Sequence, residues 1–161
     1  MEKPAETRES LLEMKIVINQ MRNAIYEIQK ILMIRGRTEG EAARELRQMG
    51  KNIARSFAKI WKPVEKDTTS MLKEIYKFVF NSKVKIERQT NLIQVTDSGC
   101  ALCKYERPDV PIPGCILIIG FIEEFTSILH ETQGTTKLEG VVTETKTHGN
   151  SNCVHQYIMK A

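Results

Sequence analysis

Apolar residues recur at spacings of three and four along the first fifth of the chain and predict a long helix from about Ser10 to Ile34. Its apolar positions form an unbroken seam of the coiled-coil type: Leu11, Met14, Ile18, Met21, Ile25, Ile28 and Leu32. More apolar residues lie outside this seam, so the helix carries more apolar surface than one small domain buries easily. An ordinary core helix would also explain the pattern, but we expect a homodimer formed through this first helix.

A second helix is predicted to begin at Thr38 and to end at Pro63. Thr38 followed three residues later by Glu41 is the pattern of a capping box, and proline cannot continue a helix. One face carries basic residues at helical spacing: Arg44, Arg47, Lys51, Arg55 and Lys59. Such a stripe could bind nucleic acid phosphates. A solvated helix face is the commoner explanation, because no aromatic residues interleave with the stripe for base stacking.

Beyond Pro63 the pattern changes from helical spacing to alternation. The expected elements are a helix from Asp67 or Thr68, strands at 83–87 and 92–96, a strongly apolar helix at 115–130, and strands at 138–145 and 153–159. This order predicts an α+β fold, with N-terminal helices followed by an antiparallel sheet of two hairpins flanking an apolar helix. We expect one compact unit, in which residues 1–36 form the dimerisation helix and residues 37–161 form the α+β domain.

Composition supports a single globular domain. The chain has 161 residues, is 41% hydrophobic and carries a formal net charge of only +4, which permits contact with nucleic acid but does not require it. Its longest near-apolar run is too short to span a membrane, and the charged N-terminus lacks the apolar stretch of a signal peptide. We therefore expect a cytoplasmic protein.

Four cysteines are the main candidates for chemistry: Cys100, Cys103, Cys115 and Cys153. Cys100 and Cys103 form a Cys-x-x-Cys pair that can bind one tetrahedral metal ion. Cys115 is expected at a helix start, where the helix dipole favours a thiolate. We predict a structural zinc site formed by all four. An iron–sulfur cluster uses the same ligands, and buried thiols or a redox pair remain alternatives, whereas the expected cytoplasmic setting disfavours disulfides.

The apolar helix and several aromatic residues suggest a second site. Residues 114–122 are apolar nearly all round, and Gly120 would allow another element to approach closely. We predict a pocket for a small hydrophobic molecule lined by Phe57, Trp61, Phe78, Ile118, Phe121, Ile122 and Phe125. A solid core is the alternative interpretation of the same residues.

Catalytic motifs are missing from the sequence. His130-Glu131 resembles the start of a His-Glu-x-x-His zinc motif, but Gly134 stands where the second histidine is required. His148 and His155 could each replace a cysteine ligand. No nucleotide-binding glycine loop or nucleophile motif is found, so we do not expect an enzyme.

The C-terminal part of the chain, about Gly99 to Ile158, resembles the 4-vinyl reductase-like domain family of predicted small-molecule- or hydrocarbon-binding domains. The matching features are Cys100, Pro-Gly-Cys at 113–115 followed by Gly120-Phe121, and a closing hairpin with Val142-Thr143-Glu144, Gly149 and Cys153. The resemblance implies a fold similar to haem–nitric-oxide sensor domains and to small subunits of the Golgi transport tethering particle.

The same resemblance implies a zinc site near the final hairpin and a role as a sensor domain or accessory protein. This chain departs from the family at residues 145–147, where a further cysteine is common, and Cys103 could supply the missing sulfur. Our expectation is a non-catalytic binding domain for a small hydrophobic ligand, stabilised by zinc. The alternatives are a nucleic-acid-binding transcriptional regulator and a protein–protein scaffold.

Overall fold

A computed structural model describes residues 8–160, except for the side chains of residues 9–11 and 14. The elements are α1 (Arg8–Ile34), α2 (Glu39–Phe57), α3 (Thr68–Val79), β1 (Val84–Gln89), β2 (Leu92–Asp97), α4 (Ile116–Gln133), β3 (Lys137–Glu144), a short 3-10 helix (Lys146–His148) and β4 (Cys153–Lys160). The predicted α+β class and the order of its elements are confirmed.

The helix starts follow from local hydrogen bonding. In the capping box of α2, the Glu41 backbone N–H donates to the Thr38 hydroxyl at 3.2 Å, and the Thr38 backbone N–H donates to the Glu41 carboxylate at 2.8 Å. The end of α2 was predicted too late, because the helix stops at Phe57. There the Ile60 and Trp61 backbone N–H groups both donate to the Phe57 carbonyl, and this turn brings Trp61 back against the Phe57 ring.

The four strands form one antiparallel sheet in the order β1-β2-β4-β3, so the last strand of the chain lies inside the sheet, between β2 and β3. The first three residues of this strand are all buried, and beyond them Tyr157 is buried while Ile158 is exposed. Cys153, His155 and Tyr157 are buried on the inner face. Because β4 is central, it positions the side chains of the candidate site against the helices.

Helix α4 packs on the sheet, and α2 crosses α4 at two glycines. A Cβ atom added to Gly120 would lie 2.0 Å from the Arg47 carbonyl oxygen, and one added to Gly50 would lie 2.0 Å from the Leu117 carbonyl oxygen. The expected close approach at Gly120 is therefore present, and the approaching element is α2. This crossing brings Phe57 at the end of α2 next to Phe121 and Phe125 of α4.

The apolar seam of α1 divides into two parts. Ile25 is buried in the core of its own domain, and Ile18, Ile28 and Leu32 are partly buried, whereas Met21 is exposed. Leu11 and Met14 lie outside the described side chains. The C-terminal half of the seam thus follows the core-helix interpretation, and dimerisation through α1 stays a prediction for the N-terminal half. Within residues 8–160, no helix is long and apolar enough to cross a membrane.

Candidate functional site

All four cysteines meet at one buried point beside the sheet. Cys100 and Cys103 follow β2, Cys115 immediately precedes α4, and Cys153 begins β4. Their thiols are free, and the sulfur atoms all lie within 4.8 Å of one another. A tetrahedron with zinc–sulfur bonds of about 2.3 Å places its sulfurs roughly 3.8 Å apart. The cluster therefore needs only a small contraction to surround one metal ion.

The surroundings of the sulfur atoms suit thiolates. The Cys115 backbone N–H donates to the Cys103 sulfur at 3.3 Å, and the Thr145 hydroxyl lies 3.8 Å from the Cys153 sulfur. Hydrogen bonds from the neighbouring thiols, first that of Cys100, hold the pKa of Cys103 well below its usual range. Burial raises the pKa of Cys115, so this group needs a metal ion to ionise. The chemistry of this donor set is that of a site that could hold a metal ion.

The histidines considered as replacement ligands have other partners. The ring of His148 contacts the Val110 carbonyl through Nε2 at 3.2 Å. The Nδ1 atom of His155 hydrogen-bonds the Tyr76 hydroxyl at 2.7 Å. The group of residues that could hold a metal ion therefore consists of the four cysteines and includes neither histidine.

The five predicted pocket aromatics form one contiguous cluster, in which Phe57 contacts the rings of Trp61, Phe78, Phe121 and Phe125. The outer end is the pair Trp61–Phe78, which stacks with ring centroids 4.6 Å apart, and the side of Phe78 is open to solvent. The inner end is Phe121 and Phe125 on α4, with Ile118 and Ile122 buried on the same helix. The structure thus brings the aromatic residues together, with their rings in direct contact.

Sequence reasoning did not assign Tyr76, His155 and Tyr157 to the pocket, although they continue this cluster inward through Phe80. Phe80 contacts Phe121 at 5.2 Å between ring centroids, and Tyr76 contacts Phe80 at 5.8 Å. The Tyr76 hydroxyl then hydrogen-bonds both His155 and the Tyr157 hydroxyl at 2.7 Å. The alternation of Cys153, His155 and Tyr157 was the available signal, since a period of two places all three on one face of a strand.

The buried trio of Tyr76, His155 and Tyr157 is a polar group within an apolar core. Burial lowers the pKa of His155 to about 4, so its ring is neutral at physiological pH. Its Nε2 atom is buried and has no hydrogen-bonding partner among the described residues. An unpaired polar atom in such a place is destabilising, so it marks a position where a further polar group would be favourable.

Three of the five basic residues in the α2 stripe form ion pairs with two carboxylates of α4. Arg47 and Lys51 pair with Glu123, and Arg55 pairs with Glu124 at 2.6 Å. Arg47 also donates to the Gly140 carbonyl at 2.6 Å, and the Gly140 backbone N–H donates to Glu123 at 3.0 Å. These side chains fasten α2 to α4 and β3, so the stripe is mostly engaged within the protein and gives the nucleic acid interpretation no support.

The described residues also form a surface cleft of about 430 Å³ between α2, the start of α4 and the outer edge of β3. Ala43, Ile116, Ile119 and Val142 supply its apolar lining, and Arg44 stands at its side. The predicted pocket residues do not line this cleft, so it is separate from the aromatic cluster.

These features define a four-helix, four-strand α+β domain with a buried four-cysteine cluster and an aromatic cluster that reaches the surface. Solved structures share this fold. One is trafficking protein particle complex subunit 3 from Naegleria fowleri, covalently bound to palmitic acid, with a TM-score of 0.68, 12% identity, and coverage of 91% of this chain and 97% of that one. This likeness confirms the expected similarity in fold to small subunits of the tethering particle.

A second similar structure is the phenol-responsive sensory domain of the transcription activator PoxR with phenol. It has a TM-score of 0.58 and 15% identity, and the match covers 86% of this chain and 74% of that one. No family model and no curated protein matches the sequence. Because both identities are low, the likenesses show the fold, and membership of the 4-vinyl reductase-like family stays a prediction.

Proposed function

We propose that this chain is a non-catalytic binding domain for a small hydrophobic molecule, stabilised by zinc and acting as a sensor or accessory protein. The observation that carries the proposal is the aromatic cluster, which runs from the exposed Phe78 and the partly buried Trp61 to the buried trio of Tyr76, His155 and Tyr157. Two proteins of the same fold carry palmitic acid and phenol. Both are molecules with a large apolar part and one polar end.

The aromatic cluster offers such a molecule a route inward. Trp61 and Phe78 lie on the loop after α2 and near the end of α3, and neither ring is fully buried. Movement of this pair exposes Phe57, Phe121 and Phe125, whose flat rings favour apolar and aromatic ligands. The partly buried Phe80 leads on to Tyr76. We propose that the ligand replaces these ring contacts with its own and reaches toward the polar trio.

Fluorescence titration tests this proposal, because Trp61 is the only tryptophan of the chain. Phenol and palmitic acid are the two probes. We expect at least one of them to change the Trp61 emission saturably, and we expect native mass spectrometry to show one molecule per chain. Saturable binding of neither probe, together with no apolar molecule co-purifying in native mass spectra, would contradict the proposal.

Two variants locate the binding site. Phe78→Ala removes the outer ring while leaving the core intact, and we expect it to weaken binding by about three- to tenfold, consistent with an aromatic contact of about 0.5–1.5 kcal/mol. Ile158→Ala is the matched control, since Ile158 is comparably exposed on the outer face of β4. Equal affinities of the two variants for the bound probe would place the ligand elsewhere.

Zinc is the metal we propose for the four-cysteine site. Four buried thiolates match the preference of zinc for tetrahedral sulfur coordination. Metal content measured by inductively coupled plasma mass spectrometry should be about one zinc per chain, and Cys115→Ser should lower it strongly. Ser98→Ala, beside the loop but without a ligand role, should keep the full content. Iron together with visible absorption would indicate an iron–sulfur cluster instead.

Self-association through α1 is the remaining part of the proposal. Leu12, Ile16, Val17 and Met21 are exposed in the N-terminal half of the helix. Lysine at Val17 and Met21 should therefore yield a folded monomer in light scattering, whereas Ile158→Lys should leave the dimer intact. Ile25 is unsuitable for this test, because it is a core residue of its own domain. A wild-type protein that is already monomeric at micromolar concentration would contradict this part.

A further inference from the structure

Helix α1 rests on the loop that carries three of the four cysteines. We call residues 100–115, from Cys100 to Cys115, the metal loop. The nearly buried Arg22 donates through Nε to the Ala101 carbonyl at 2.8 Å. The buried Tyr26 hydroxyl donates to the Leu102 carbonyl at 3.0 Å. Both acceptors lie between Cys100 and Cys103, inside the span that a bound metal ion would fix.

A second set of contacts joins α1 to the far part of the metal loop. Lys30 pairs with Asp109 at 3.2 Å, and the Arg107 guanidinium lies 4.9 Å from the centre of the Tyr26 ring. A Cβ atom on Gly114 would lie 3.6 Å from the Ile25 side chain, so Ile25 packs beside the residue that precedes Cys115. Successive turns of α1 thus contact the metal loop along its length.

The metal loop has little backbone structure of its own. Residues 100–115 include no helix or strand in the structure. Its backbone bonds are of other kinds: the Arg107 N–H donates to the Thr147 carbonyl outside the loop, and the Val110 N–H donates to the Arg107 carbonyl within it. Bonds from metal to sulfur order a segment of this kind where secondary structure does not. A bound metal ion would therefore also fix the carbonyls of Ala101 and Leu102, which lie between two of its ligands.

The two halves of α1 depend on the metal loop to different degrees. Toward the C-terminus, Ile28 and Leu32 line a surface groove together with Leu46 and Met49 of α2, and no residue of the metal loop lines this groove. On the N-terminal side of Arg22, the described side chains from residue 12 onward are exposed or only partly buried. The position of that half is therefore set by the turns that contact the metal loop.

We propose that occupation of the four-cysteine site controls the docking of the N-terminal half of α1, with Arg22 and Tyr26 as the connecting residues. The inference rests on the proposed metal site and gives it a consequence beyond local stability. Metal loss frees the carbonyls that receive Arg22 and Tyr26, and the exposed apolar face of α1 is then no longer held in a fixed direction. Any partner that binds this face, a second copy included, thereby becomes sensitive to metal.

Hydrogen exchange measured by mass spectrometry tests the coupling, with metal content determined on the same samples. Removal of zinc by a chelator should accelerate exchange at residues 8–26 by about tenfold or more, as expected for loss of a buried hydrogen bond from a charged donor. Exchange at residues 28–34 and in α3 should change much less, and added zinc should restore the original rates.

Variants separate the coupling from general unfolding. Arg22→Ala and Tyr26→Phe should reproduce the faster exchange of residues 8–26 while keeping one zinc per chain, and Lys15→Ala, on an exposed position of α1, should change nothing. If the purified protein contains metal but its removal leaves the exchange of α1 unchanged, the coupling is overturned and the metal site stands. Absence of metal from the purified protein would overturn the metal site and the coupling together. The coupling would also be overturned if zinc removal accelerated exchange equally throughout the chain while Arg22→Ala and Tyr26→Phe exchanged at the wild-type rate.

Discussion

The crossing of α2 and α4 makes a sharp prediction for Gly120→Ala. The new Cβ atom would lie 2.0 Å from the Arg47 carbonyl oxygen and 2.8 Å from the carbonyl carbon, whereas ordinary contacts begin at 3.4 Å. The distance from the new Cβ atom to the Arg47 carbonyl oxygen is therefore about 1.4 Å shorter than an ordinary contact. The neighbouring atoms belong to the backbone, so they cannot rotate away as a flexible side chain can. The helices must therefore separate, and the interlocked Gly50 contact on the same crossing would be lost with them.

We expect Gly120→Ala to lower the free energy of unfolding by about 3 kcal/mol, the upper part of the range for overpacked cores. For a chain of this length, that change lowers Tm by roughly 6–12 °C. Urea denaturation followed by circular dichroism measures the free energy, and a thermal melt measures Tm. The loss is large beside a typical total stability of about 5–15 kcal/mol.

Gly40→Ala is the matched control for this prediction. Gly40 lies in the first turn of α2, where a new Cβ atom meets only the flexible end of Arg44 at 3.8 Å. Alanine should be neutral or stabilising there by up to about 1 kcal/mol, because glycine is the poorer helix former. A Gly120→Ala variant as stable as Gly40→Ala would show that the two helices do not cross this closely.

Two further predictions concern buried polar groups and use the same urea assay. Glu123→Gln should lower the free energy of unfolding by about 2–4 kcal/mol, because it leaves the partly buried Arg47 guanidinium without its charged partner. Glu124→Gln, at a more exposed pair, should lower it by less than about 1 kcal/mol. Equal losses in the two variants would contradict the difference in burial between the pairs. Tyr76→Phe should cost about 1–3 kcal/mol, because two buried partners lose a hydrogen bond at once. Tyr157→Phe should cost less, since the bond between Tyr76 and His155 survives, and the reverse order would refute the assigned network.

Local signals predicted most of the elements, because the features that start and end them are short in sequence. The Thr38 capping box and the alternation of residues 83–87 both follow from residues within a few positions of each other. The end of α2 was missed because the chain turns at Phe57, before Pro63, under the influence of ring packing by Trp61. The sheet order could not be predicted, since pairing of β2 with β4 joins residues about 60 positions apart in the chain.

Residue chemistry determined how much of the candidate site was foreseeable. Cysteines are rare and reactive, so four of them suggested one cluster even across the long gap before Cys153. The contacts of Arg22 and Tyr26 gave no such signal, because their partners are the backbone carbonyls of Ala101 and Leu102, which every residue type possesses. Likewise Gly120 indicated a close approach, but only the fold identifies Gly50 as its counterpart.

The Arg47–Glu123 pair also determines where the sheet stops. β3 is an edge strand, and an edge with free backbone groups can recruit a strand from another molecule and begin aggregation. At Gly140 both groups are already taken, the N–H by Glu123 and the carbonyl by Arg47, and the Leu138 N–H donates to the Thr126 hydroxyl. The ion pair therefore shields this part of the edge from strand addition, so Glu123→Ala, which removes both carboxylate oxygens, should raise the tendency to form fibrils as well as lower stability.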